Sequence, residues 1–139
     1  MLFRSATALG IAEAALSMTV QWLNERTVGG ETLARKQGVQ WLVADMKMRL
    51  EASWALTMQA VALRTAGRPY SLQSAMAKLH ATEMVAFVVD TAQQLHGGYG
   101  YTRALPLERM ARDARILRIY EGASEIQRTI IARSVLGAR

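Results

Sequence analysis

No cysteine occurs in this sequence, and proline is almost missing, with 2 residues in a chain of 139. The first absence excludes disulfides, thiolate zinc sites and a cysteine nucleophile. It fits a reducing compartment, and the expected location is cytoplasmic. The second, together with only 10 glycines, leaves room for long unbroken helices and argues against many-turn β architectures. No run reaches the roughly 18 apolar residues of a membrane span. The opening residues, Met1-Leu2-Phe3-Arg4-Ser5, lack the basic region and apolar core of a signal peptide. No metal site is expected.

What is present is apolar and basic. Hydrophobic residues make up 51% of the chain, which suffices for one core in one domain, residues 1–139. The net charge of +6 attracts anions: nucleic acid, anionic lipid or a phosphate-rich cofactor. The arginines are dispersed, with a modest cluster at Arg103, Arg109, Arg112, Arg115 and Arg118. Dispersed arginine on helices is ordinarily a solvated face. No recognised nucleic-acid motif or lysine patch occurs, so nucleic acid is not an expected partner.

Four long helical patterns emerge. The first runs from about Ser5 to Arg26, with Ile11, Ala15, Met18 and Trp22 on one stripe and Leu9, Leu16, Val20 and Leu23 on another. Gly29-Gly30 stops it. The second runs from about Leu33 to Ala66, with Leu42, Met46, Leu50, Trp54, Met58 and Val61 at helical steps and Gly67 and Pro69 as its stop. Ser71 is the expected N-cap of the third, which reaches Leu95 through Leu72, Met76, Leu79, Met84 and Val88. Pro106 opens a short helix through Arg115. The last begins after Gly122, where Ser124 and Gln127 read as a capping box and Ile126, Ile130 and Ile131 face inward. The whole is expected to be all-α, an antiparallel four-helix bundle.

Two stretches differ from ordinary bundle sequence. Gln94-Leu95-His96-Gly97-Gly98-Tyr99-Gly100-Tyr101 has three glycines in four positions. Such a turn either brings backbone N–H groups close to a phosphate or simply breaks a helix. In Tyr120-Glu121-Gly122-Ala123-Ser124-Glu125-Ile126-Gln127, a carboxylate stands beside an aromatic ring just before a helix. An apolar neighbourhood would raise its pKa and make it a better proton acceptor. Alternatively, Glu121 only complements the helix N-terminus electrostatically.

Together with Arg26, Lys36-Gln37, Leu42 to Met46, Glu108-Arg109 and Arg112-Asp113-Ala114-Arg115, these two motifs resemble the C-terminal domain of acyl-CoA dehydrogenases over essentially the whole chain. The resemblance implies Glu121 as the base that removes the α-proton of an acyl-CoA thioester, FAD as hydride acceptor, and a trans-2-enoyl-CoA product. It implies hydrogen bonds to the thioester oxygen from the flavin ribityl hydroxyl and the backbone N–H of Glu121. It implies Tyr120 and Gly122 beside the substrate. Arg26, Thr27, Val28, Lys36, Gln37 and the run Gln94, Leu95, His96, Gly97, Gly98 would meet the flavin of a neighbouring subunit. Ala123, Ser124 and Glu125 would meet the subunit's own flavin. Arg109, Arg112, Asp113 and Arg115 are assigned to structural ion pairs.

Departures from the family pattern are also visible. Val28-Gly29-Gly30 stands where Gln-Phe-Gly is usual, and Ala123 where threonine is usual. The family's substrate-binding arginine on the first helix falls at Met1, with Arg4 out of register. The family's N-terminal helical and middle β domains have no counterpart in this sequence. The expected partners are an acyl-CoA substrate, copies of the chain in a dimer or tetramer, and electron-transfer flavoprotein as electron acceptor. The alternative is a catalytically incomplete helical module that self-associates or docks to a partner, using faces that bear Trp22, Trp41 or Trp54.

Overall fold

The computed structural model describes residues 2–137. Met1, the position of the family's arginine, lies outside them. The elements in order are α1 (Leu2–Glu25), β1 (Thr27–Val28), β2 (Glu31–Thr32), a 3₁₀ turn (Leu33–Arg35), α2 (Gln37–Thr65), α3 (Ser71–His96), α4 (Gly98–Tyr101), α5 (Leu107–Leu117) and α6 (Ser124–Leu136). The helical class and the bundle expected from the periodicity are present. α3 is the central helix, with half of its 26 residues buried, and it packs against α1, α2, α5 and α6. Leu9 and Leu16 of α1, Met46 and Leu50 of α2, and Val85, Val88 and Val89 of α3 form the core, with Leu107 and Leu117 of α5 closing one side. Among the described residues no helix is long and apolar enough to cross a membrane.

Several local expectations are corrected. Gly29-Gly30 does more than stop α1. Both glycines have positive φ (66° and 86°) and form the turn of a small antiparallel hairpin, with Val28 paired to Glu31. α2 therefore starts at Gln37, not Leu33. Tyr70, not Ser71, caps α3, without a side-chain hydrogen bond. Ser124 and Gln127 form no capping box, because the Ser124 hydroxyl is drawn to Glu83 on α3 and the Gln127 amide to the Gly122 carbonyl in the loop before α6.

The α2 stripe is also rotated from the expected one. Its buried row is Met46, Leu50, Ser53, Thr57 and Ala60, at the 3.5-residue spacing of a seam between two helices. Small residues fill the second half of that seam. Trp54 and Met58 point away, 38% and 53% exposed. The larger side chains carried the sequence signal, but the smaller ones let α2 approach α3. Ile126, at 54% exposure, likewise faces out, while Ile130 and Ile131 are half-buried.

Candidate active site

Glu121 sits between α5 and α6 with a φ of 52°, the one positive value outside glycine among the described residues. Gly122 follows at 91°. A left-handed non-glycine residue costs about 1–2 kcal/mol, so the loop needs something to hold it. Upstream, the Tyr120 N–H donates to the Ile116 carbonyl at 3.2 Å; downstream, the Ser124 N–H donates to the Arg118 carbonyl at 3.1 Å. Between them, the Gly122 carbonyl accepts from Lys78 Nζ at 2.8 Å and from Gln127 Nε2 at 3.0 Å. A hydrogen bond to a charged group contributes about 1.5–3 kcal/mol, enough to offset the strain at Glu121. Glycine suits 122 because of its φ of 91°, and a Cβ there would push the Gln127 amide nitrogen off the Gly122 carbonyl.

A second set of bonds ties α6 to α3. Ser124 Oγ donates to Glu83 Oε1 at 2.8 Å, and Arg118 Nη1 donates to Glu83 Oε2 at 3.3 Å, with Arg128 nearby at 3.7 Å. Burial pushes the Glu83 carboxyl upward, but the hydrogen bonds from Ser124 and Arg118 outweigh it and hold it below the usual value.

The Glu121 carboxylate points to the start of α1. There Arg4 Nη2 forms an ion pair with Oε1, and its guanidinium lies 4.4 Å from the Tyr120 ring centroid. The Arg4 hydrogen bond, against a smaller upward push from burial, holds the Glu121 carboxyl below its ordinary value. The expectation of an apolar neighbourhood that raises this pKa is corrected: the nearest charge is a cation, and the side chain is 47% exposed. Among the described residues the N–H of Glu121 has no hydrogen-bond partner. Carboxylate and free N–H thus sit on one residue at the surface.

At the other end of α1 lies a cavity of about 560 Å³, lined by Trp22, Arg26, Leu33, Gln94 to Tyr99 and Thr102. The Trp22 indole stacks on His96 at 5.1 Å, and the Arg26 guanidinium lies 5.8 Å from the Trp22 ring. Arg26 pairs with no carboxylate among the described residues. Gly97 has a φ of 58° and starts the turn into α4. An unpaired guanidinium beside glycine backbone suits an anion such as phosphate. Helical rise puts this cavity roughly 30 Å from Arg4 along α1.

Residues 2–136 match the family described as "Acyl-CoA dehydrogenase, C-terminal domain". The chain belongs to that family. Acryloyl-CoA reductase (NADH) of Anaerotignum propionicum is 49% identical over 131 residues, which are 94% of this chain and 33% of that protein. The butyryl-CoA dehydrogenase structure from Megasphaera elsdenii superposes with a TM-score of 0.95 at 38% identity, over 97% of this chain and 35% of that one. A structure described as the FAD complex of PigA matches with a TM-score of 0.91 at 29% identity, over 94% and 34% of the two chains. The chain spans about a third of the length of the curated relatives it matches.

In this acyl-CoA dehydrogenase domain the expected site residues fall into two groups. Arg26 and Gln94, Leu95, His96, Gly97 and Gly98 line the cavity together. His96 is its floor, 3% exposed, with Nδ1 bonded to the Ala92 carbonyl at 2.7 Å. Thr27 and Val28 lie on the hairpin beside it. Lys36 is bonded to Glu31 at 3.2 Å, and Gln37 begins α2; none of these four lines the cavity. Tyr120, Glu121, Gly122, Ala123, Ser124 and Glu125 stay together at the other end. Ser124 is buried and committed to Glu83, whereas Glu125 is exposed. Of the four residues assigned to ion pairs, Arg112 bonds Glu108 at 3.2 Å, while Arg109, Asp113 and Arg115 form no ion pair among the described residues.

Lys78 and Glu83 were not singled out by the sequence reading, and Arg4 was noted only as out of register with the family's arginine. Lys78 had a signal. It interrupts the inward face that also holds Ser74, Ala81 and Val85, and a lysine in that register is rarely free.

Proposed function

We propose that this chain carries the catalytic base and part of the cofactor site of a flavin-dependent acyl-CoA dehydrogenase. The observation that carries the reading is Glu121: a surface carboxylate in a strained left-handed turn, fastened by buried polar bonds and adjacent to its own free N–H. In this reading Glu121 removes the α-proton of an acyl-CoA thioester. Its N–H donates to the thioester oxygen as enolate charge develops there. FAD, if bound here, would supply the hydride-accepting chemistry for the β-hydrogen and so allow a trans-2-enoyl-CoA product. Tyr120 and Gly122 flank the acyl group.

The α-proton is weakly acidic, so a carboxylate held by arginine is a poor base for it. Substrate entry therefore has to separate Arg4 from Glu121 and exclude water. Arg26, with Gln94 to Gly98, suits the pyrophosphate and adenosine part of FAD. The roughly 30 Å between that cavity and Glu121 is too long for one cofactor to meet both, which supports a cavity that serves the flavin of a second copy. Ala123, Ser124 and Glu125 are then the contacts to the chain's own flavin. Electron-transfer flavoprotein is the proposed electron acceptor.

The visible spectrum of the purified chain with added FAD, before and after a short acyl-CoA under anaerobic conditions, tests the reading. A bound flavin band that bleaches with substrate, and fails to bleach in Glu121→Gln, is expected. Bleaching that persists in the Glu121→Gln protein would sink the base assignment.

A second reading is favoured by α2, where Trp41, Met48, Trp54 and Met58 are 38–64% exposed. Exposed apolar side chains at this density on one helix favour association between copies of the chain. In this reading the domain is an assembly module, and a colourless chain that sediments as a dimer or tetramer supports it.

A further inference from the structure

Lys78 is fully buried in the N-terminal third of α3. It forms no ion pair with any carboxylate among the described residues. Its one hydrogen bond goes to the Gly122 carbonyl at 2.8 Å. An ammonium buried without a carboxylate in contact is unfavourable to the fold, and a methionine of similar volume would pack there more readily. The interaction that the lysine makes, and methionine could not, is with that carbonyl.

The carbonyl is well placed to matter. It lies one residue past Glu121, between the two anchored ends of the loop at Tyr120 and Ser124. The Gly122–Ala123 peptide that carries this carbonyl follows two consecutive positive-φ residues, Glu121 and Gly122, so with both ends fixed its orientation constrains the path the chain can take through residue 121. Gln127 reaches the same oxygen from α6, but its amide oxygen is buried and unpartnered, so it is the less settled of the two donors. Burial pushes the Lys78 pKa down, while Glu83, Glu121 and Glu125 pull it back up.

We propose that Lys78 is a positioning residue for Glu121: its ammonium fixes the Gly122 carbonyl and thereby holds the left-handed turn that aims the Glu121 carboxylate and N–H. Lys78 touches neither substrate nor flavin in this role. The proposal deepens the reading of Glu121 as base and rests on it.

The test uses the isotopically labelled 139-residue chain and its K78M variant. A residue with φ near 50° has its amide and α protons unusually close, which gives a strong intraresidue NOE. In K78M that NOE at Glu121 is expected to weaken several-fold. The carboxyl carbon of Glu121 is expected to titrate at higher pH, partly because the Lys78 charge that lowers it is gone and partly because its pairing with Arg4 loosens, so the NOE decides. Amide protection across α1, α2 and α3 is expected to remain. A folded K78M with an unchanged Glu121 NOE would overturn the proposal, whatever its titration. If K78M does not fold, K78L, which also lacks a donor, decides by the same readouts, and loss of the folded core in both variants would also overturn it by giving Lys78 a general structural role. None of these readouts needs flavin or acyl-CoA. Their failure leaves the base reading intact, and failure of the Glu121→Gln test leaves them intact.

Discussion

Arg4 and Glu121 are 117 residues apart in sequence and form an ion pair across the end of the bundle. The pair joins the first turn of α1 to the loop before α6. It also sets the resting state of the candidate base, ionised and covered by a cation.

Arg4→Met should raise the Glu121 carboxyl pKa, because its largest depressing influence is the Arg4 hydrogen bond. Carbon-13 titration of the labelled chain measures this directly. Thermal stability should hardly change, since the pair is solvent-accessible. An unmoved titration would show that Arg4 does not control the base.

Acid should weaken the fold through three carboxylates. Glu83, Glu108 and Glu121 all have folded pKa values below the ordinary 4.5. Between the folded and ordinary values the unfolded chain binds more protons, so their contribution is fully present above about 4.5 and is lost as pH falls through the folded values. Urea midpoints should fall on this acid limb, and Glu83→Gln should make it shallower. An acid limb unchanged in Glu83→Gln would remove Glu83 from the account.

Gly100→Ala should destabilise the chain by about 1–3 kcal/mol. A Cβ there would lie 2.5 Å from the Gln93 carbonyl oxygen and 2.9 Å from its Cα, so α4 could not stay against the last turn of α3. Urea unfolding gives the cost. A neutral result would mean that α4 shifts freely.

The rotated seam of α2 predicts a contrast between two truncations. Leu50→Ala should cost about 2–5 kcal/mol, because Leu50 is 2% exposed in the core. Met58→Ala should cost about 0.5 kcal/mol or less, because Met58 is half-exposed. Similar losses measured by urea unfolding would restore the stripe expected from the sequence.

The sequence by itself determined the helical class, most helix stops and the two unusual motifs. Scarce proline and glycine, three-and-four apolar spacing, and a few glycines placed between patterns are local properties, and local physics reads them. It also assembled Gln94 to Gly98 as one unit, because contiguous residues in a tight turn have nowhere else to go. The tertiary structure decided what those residues face. Small Ser53, Thr57 and Ala60 form the seam of α2, since close approach of helices rewards small side chains that hydrophobic spacing ignores. Ser124 and Gln127 serve Glu83 and Gly122 instead of capping α6. Glu121 meets Arg4, and its loop meets Lys78, only because α1 and α3 come to the same end of the bundle. The protonation state of a carboxylate depends on charges within a few ångströms in space, and distance along the chain carries no information about them.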